Sequence, residues 1–173
     1  MKKVLKTKTV FNGRLLKVYK QRQRYPGGYV GDLEIVRHPG AVLIIPLLDS
    51  QRMVLIKQYR PVINAYIWEF PAGTLEQGES VTSCAKRELA EEISYQARHW
   101  KRLGKILPAP GYTTEQIVIF SARGLQRIES KKEADELITP GVFTPKQLKR
   151  MINSGNIVDA KTICALKLLE VSK

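Results

Sequence analysis

The chain has 173 residues, enough for one domain with a substantial core and a small appendage, and its 43% hydrophobic and 26% charged content is ordinary for a soluble globular protein. No apolar run approaches the roughly 20 residues of a membrane span, and the basic start MKKVLKTKTVF lacks the apolar stretch of a secretory signal, so the expectation is a cytoplasmic protein without a membrane partner. The outlier is a net charge of +13, which favours anionic partners; because Lys and Arg are spread along the chain, richest over residues 2–24, a solvated basic surface accounts for it and nucleic acid is not expected as a partner.

Val10-Phe11 and Leu15 to Tyr19 flank the turn dipeptide Asn12-Gly13 and predict a hairpin. A second turn at Pro26-Gly27-Gly28 precedes a strand at Leu33 to Val36, which His38-Pro39-Gly40 ends, so residues 1–38 make a few strands with little core of their own. Tyr19, Tyr25 and Tyr29 suit a core, an interface or a base-stacking platform. The apolar run 41–48 (AVLIIPLL) predicts a strand covered on both faces, with Met53 to Tyr59 as its hairpin partner across Asp49 to Arg52. Arg60 ends that partner where a cation could meet a phosphate. Glu69 sits between Trp68 and Phe70, an expensive place for a lone anion, so it needs a partner or a ligand. Pro71 then stiffens the approach to Ala72, whose carbonyl is placed to point at the next helix.

That helix follows a turn rich in Gly and Glu (Gly73, Glu76, Gly78, Glu79). Ser80 is its N-cap, and Val81, Ala85, Leu89 and Ile93 form an apolar stripe in i, i+4 steps. With the stripe inward, Glu88 and Glu92 share the adjacent row and Glu91 lies between them in angle. Like charges so placed cost about 0.2–0.5 kcal/mol each unless a cation joins them. An oxygen-only donor set of this kind favours Mg²⁺ or Mn²⁺ over zinc. Beyond the helix, Trp100 to Leu107 and Ile117 to Ala122 read as strands and PAPGYTTE as a fixed loop. Gly124 to Asp135 reads as a charged loop carrying Glu133, Asp135 and Glu136 at its end. Thr144-Pro145-Lys146-Gln147 starts a helix, and a last helix begins near Asp159 with Ile163, Leu166 and Leu169 toward the sheet. Cys84 and Cys164 are expected as buried free thiols.

The spacing from Gly73 through Glu79 to Arg87-Glu88-Leu89-Ala90-Glu91-Glu92 resembles the signature of the Nudix hydrolases, G-x5-E-x7-R-E-U-x-E-E-x-G-U with U bulky and apolar. Ser94 replaces the last glycine of that signature, so a helix end of different shape is expected there. HPGAV at 38–42, KQYR at 57–60, WEFPAG at 68–73 and PAPGYTTE at 108–115 extend the resemblance over nearly the whole chain, to the ADP-ribose pyrophosphatases and related nucleoside-diphosphate-sugar hydrolases. The resemblance implies an α/β fold: an α/β/α sandwich around a mixed sheet, in residues 39–173, with a small N-terminal β-rich segment, residues 1–38, exchanged in a homodimer. It also implies that the Ala72 carbonyl, Glu88 and Glu92 hold the metal with Glu91 as second choice, and that Glu79 and Arg87 brace the loop on the helix. Arg60, Glu69 and Glu115 would contact the nucleotide or sugar. Glu136 would be the catalytic base, with Glu133 and Glu91 as alternatives. The implied reaction is Mg²⁺-dependent hydrolysis of a nucleotide sugar such as ADP-ribose to a nucleoside monophosphate and a sugar phosphate. Rival readings are action on RNA 5′ ends or damaged nucleotides, and a non-catalytic nucleotide sensor.

Overall fold

A computed structural model describes residues 2–129 and 137–172. The chain divides into two compact units, Met1–Gly40 with Leu107–Gln116, and Ala41–Ile106 with Ile117–Lys173.

The first unit is an antiparallel sheet in the order β1 (Lys3–Asn12), β2 (Lys17–Arg24), β3 (Val30–Arg37). The hairpin about Asn12-Gly13 is closed by the Gly13 N–H, which donates to the Leu16 carbonyl at 2.9 Å. At the second turn Gly27 and Gly28 have φ of +90° and +92°, which a side chain would oppose. The PAPGYTTE loop belongs to this unit: Val36 N–H donates to the Tyr112 carbonyl at 2.8 Å and Thr114 N–H to the Val36 carbonyl at 3.0 Å. Every residue of β1 is exposed, as expected of a segment with little core of its own.

The second unit holds two sheets. One runs β7 (Ala72–Thr74), β4 (Ala41–Pro46), β9 (Ile117–Arg127), β8 (Tyr95–Ile106); the other runs β10 (Ile138–Phe143), β5 (Met53–Arg60), β6 (Ala65–Glu69). β4 pairs antiparallel with β7 and parallel with β9, so its sheet is mixed. The hairpin expected between β4 and β5 does not form as a strand pair: both edges of β4 are taken and β5 enters the other sheet, while past the end of β4 a bridge of Leu47 to Met53 and the Leu48 N–H on the Arg52 carbonyl at 3.0 Å close the connection.

β4 is buried throughout, and its alternation sorts the core into two layers. Leu43 and Ile45 pack with Leu148 of α2 (Pro145–Asn153) and Ala165 and Leu169 of α3 (Ala160–Val171), whereas Val42 and Ile44 pack with Cys84, Ala85, Leu89 and Ile93 of α1 (Val81–Ile93). This is the α/β/α layering. The buried stripe of α3 is Thr162, Ala165 and Leu169; Ile163 and Cys164 face out, contrary to expectation, because Thr162 is turned inward, where its hydroxyl accepts from the buried Phe70 N–H at 3.0 Å.

Strands β8 and β9 outrun their apolar stretches. Tyr95 pairs with Arg127, so Gly124 to Arg127 is strand rather than loop. β10 carries Pro140 and Gly141, which mask it in sequence, but it is an edge strand where Pro is tolerated, and a Cβ at Gly141 would meet the Trp68 ring at 2.7 Å. Among the described residues no helix is long and apolar enough to cross a membrane.

Candidate active site

Helix α1 is fixed at both ends. Ser80 Oγ accepts from the Ser83 N–H at 3.1 Å, the N-cap read from the sequence. At the other end Ser94 takes the left-handed conformation, φ 58° and ψ 46°, and its N–H returns to the Ala90 carbonyl at 2.9 Å. The differently shaped helix end expected at Ser94 is therefore corrected: serine adopts the left-handed geometry that suits glycine, at a backbone cost.

Arg87 organises the carboxylates of the turn and helix. Its Nε and Nη2 donate to Glu79 Oε1 and Oε2, both at 3.0 Å, in a bidentate fork. Nη1 donates to Glu88 Oε1 at 2.7 Å and to Glu91 Oε2 at 3.0 Å, and Nη2 also reaches the Thr74 carbonyl at 3.3 Å. The Arg87 hydrogen bonds hold the Glu79 carboxyl at about 2, far below its ordinary 4.5. Beneath them burial, then the charges of Glu88 and Glu79, push the Cys84 thiol up to about 12, so it is not a ready nucleophile.

Glu88 and Glu92 are buried, at 7% and 2% exposure, whereas Glu91 is half-buried. Both buried carboxylates lie against one stretch of β7. Glu92 Oε2 accepts from the Ala72 N–H at 3.0 Å, and a Cβ at Gly73 would fall inside the Glu88 carboxylate. Glycine at 73 is thus a requirement of space. The contact seen at Ala72 runs through its N–H rather than the carbonyl singled out in the sequence.

A second charged group lies behind. Glu69 is fully buried and receives Arg60 Nε at 2.6 Å, Arg60 Nη2 at 2.9 Å and Lys161 Nζ at 2.8 Å. The Glu69 hydrogen bond outweighs burial and holds the Arg60 guanidinium above its ordinary range, helped by the charges of Glu69, Glu92 and Asp159. Lys161 also donates to Asp159 Oδ1 at 2.6 Å; burial pulls its ammonium down, but Asp159 and Glu69 together raise it above 10.5. Sequence reasoning missed Lys161, whose only signal was its position two residues past a helix cap.

The structure thus brings Ala72, Glu88, Glu91 and Glu92 together and joins Arg60 to Glu69. Glu115 lies on the loop of the first unit, 3.9 Å from His38 Nε2; His38 Nδ1 accepts from the Gly40 N–H at 3.1 Å, which leaves the ring proton on the Glu115 side. Glu133 and Glu136 lie outside the described residues.

Among the described residues no three acidic, His or Cys side chains form a ready-made metal cage. Four carboxylates, Glu79, Glu88, Glu91 and Glu92, nevertheless gather around the Arg87 guanidinium and the start of β7. Two buried carboxylates of helix α1 packed against β7, with an excess of negative charge, fit a hard divalent cation that keeps its own waters and takes substrate oxygens, as Mg²⁺ does.

The NUDIX domain profile matches residues 37–166. The methanol dehydrogenase activator of Bacillus methanolicus is 34% identical over 173 residues, covering 99% of this chain and 94% of the relative. The ADP-ribose pyrophosphatase of Bacillus subtilis (strain 168) is 31% identical with the same coverage. A crystal structure of an ADP compounds hydrolase superposes with a TM-score of 0.84 at 25% identity, over 98% of this chain and 92% of that one. The profile match and the relatives, together with the Gly73 to Glu92 device, establish that the chain belongs to the NUDIX family.

Proposed function

We propose that this NUDIX hydrolase of pyrophosphate bonds cleaves a nucleoside diphosphate sugar, such as ADP-ribose, to a nucleoside monophosphate and a sugar phosphate. The observation that carries the reading is the carboxylate patch over Ala72 and Gly73, braced on the helix by Arg87. The Bacillus subtilis relative, named for ADP-ribose, supports the substrate class.

Glu88 and Glu92, with the Ala72 carbonyl, would hold Mg²⁺ or Mn²⁺. A divalent cation bound there supplies charge neutralisation for the diphosphate and a bound water of lowered pKa. Glu69 fixes two donors of Arg60, and the side chain stays 39% exposed, so an oriented guanidinium faces incoming phosphoryl oxygens at little entropic cost. Glu79 and Arg87 keep the turn on the helix. Glu136 is the proposed acceptor of the water proton, with Glu133 next and Glu91 third, and Glu115 a proposed contact to nucleotide or sugar. A homodimer through residues 1–38 is part of the proposal: β1 is the edge of its sheet and exposes Val4, Leu5 and Val10.

The test is turnover with Mg²⁺ across ADP-ribose, other nucleotide sugars, dinucleotides and capped RNA, with products followed by phosphorus NMR. ADP-ribose or another nucleotide sugar should lead. Faster decay of capped RNA would overturn the substrate class, and no turnover of any member would favour the non-catalytic rival.

A further inference from the structure

Cations that are scattered in the sequence are gathered by the register of the first sheet. Across β1 and β2, Lys3 opposes Arg24, Lys6 opposes Arg22, and Lys8 opposes Lys20. Directly opposed residues project from the same face, so three successive rungs set cation against cation, an arrangement that destabilises a sheet. The register shift between Val4 and Lys6 keeps Lys3 in phase, and a second, between Thr9 and Phe11, brings Phe11 opposite Val18 as a fourth rung. The ladder therefore ends in an aromatic ring that is 57% exposed.

β3 relieves the repulsion only in part. It adds Val30, Asp32 and Glu34 to the three cationic rungs, and Asp32 stands 3.5 Å from Arg22 and 4.0 Å from Lys20. Lys6, Lys8, Lys20, Arg22 and Asp32 line a shallow cavity of about 240 Å³ on this face. The tyrosines of the β2–β3 turn are elsewhere. Their rings approach the position of a Cβ on Gly31, which opposes Gln23 and so points to the other face.

We propose that this face binds single-stranded nucleic acid, with phosphates on the cationic rungs and a base stacked on Phe11. Lys6 and Lys8 are two residues apart on an extended strand, about 7 Å, a repeat that a flexible phosphodiester chain can follow. The ring distinguishes this ligand from inorganic polyphosphate, which has nothing to stack, and from a duplex, whose bases are already stacked. The surface uses none of the residues proposed for hydrolysis, although it lies on the segment proposed to pair the subunits.

The experiment is fluorescence anisotropy of the intact protein with oligo(U) and oligo(dT) of about ten nucleotides at about 50 mM salt. Binding should weaken with a log–log salt slope of about −2, as for three neutralised phosphates on a single strand. Lys6→Glu with Lys8→Glu should lose at least about tenfold in affinity and flatten that slope, whereas Phe11→Ser should lose about tenfold and keep it. Hydrolysis should stay parental in both. Lys8→Gln, which removes one like-charged contact, should melt no lower than the parent and still bind less tightly, so weakened binding is separable from misfolding. The proposal is overturned if no oligonucleotide binds at low salt, or if the charge reversals bind like the parent. It is equally overturned if polyphosphate or duplex competes as well as oligo(U) and Phe11→Ser is silent. Loss of dimer mass in the reversals would make the ladder a subunit contact, and preferential capture of an acidic protein would replace nucleic acid as the partner.

Discussion

Replacing Lys161 with methionine tests whether the buried charges behind the patch hold one another in place. Lys161 Nζ donates to Glu69 Oε2 at 2.8 Å and to Asp159 Oδ1 at 2.6 Å. Methionine keeps much of the stem packing and removes both bonds. Losing one partner of a buried pair costs about 3–5 kcal/mol. Here Glu69 retains the Arg60 fork and Asp159 retains the Thr162 N–H, so the expected loss is about 2–3 kcal/mol. For a chain of this size that is a fall of roughly 4–12 °C in melting temperature. Urea and thermal unfolding would measure it. Because Lys161 is raised above 10.5, its contribution is complete below that pH and fades only as pH climbs through the raised value, so the deficit should be flat from neutral to mildly alkaline conditions. A variant melting within about 1 °C of the parent would refute the idea that Lys161 sustains Glu69.

Ser94→Gly should stabilise by about 0.5–1 kcal/mol in urea denaturation, since it relieves a left-handed serine with φ 58°. Gly73→Ala should cost about 1–3 kcal/mol and most turnover, because its Cβ displaces the Glu88 carboxylate; a fully active variant would contradict the packing seen. Glu92→Gln should nearly abolish turnover while the melting temperature holds, as the amide oxygen can still accept the Ala72 N–H; activity within a few-fold of parent would sink the metal assignment. In acid, the depressed Glu79 carboxyl contributes stability that is complete above 4.5 and lost as pH falls toward 2, and Glu79→Gln should flatten that limb of a urea-midpoint profile.

What could be read from the chain was local. The cap at Ser80 and the Thr144 and Gln147 capping box of α2 form as their short-range chemistry predicts, and the last helix starts beside Asp159 as expected. Glu69 needed a partner and has Arg60, but the second partner, Lys161, lies on a distant helix that periodicity alone does not aim. The apolar runs of β4 and β5 marked strands without marking mates: adjacency in sequence predicted a hairpin, and the parallel partner β9 arrives only at Ile117. Pro140 and Gly141 hid β10 because their usual meaning is a turn, and only an edge position makes them compatible with a strand.

The position of β9 has a consequence for how the protein is made. It is inserted between β4 and β8, both of which leave the ribosome earlier. Until Ile117–Arg127 has emerged, β4 has an open edge with an apolar strand behind it, and α1 packs on a sheet that lacks its middle. Closing the parallel β4–β9 pair means closing a long loop, which favours a slow, late step and exposes the nascent chain to edge pairing with its neighbours. A ribosome stalled before β9 would therefore hold the whole Gly73 to Glu92 stretch in synthesised but unsecured form, and hydrogen exchange of such stalled chains should find α1 unprotected.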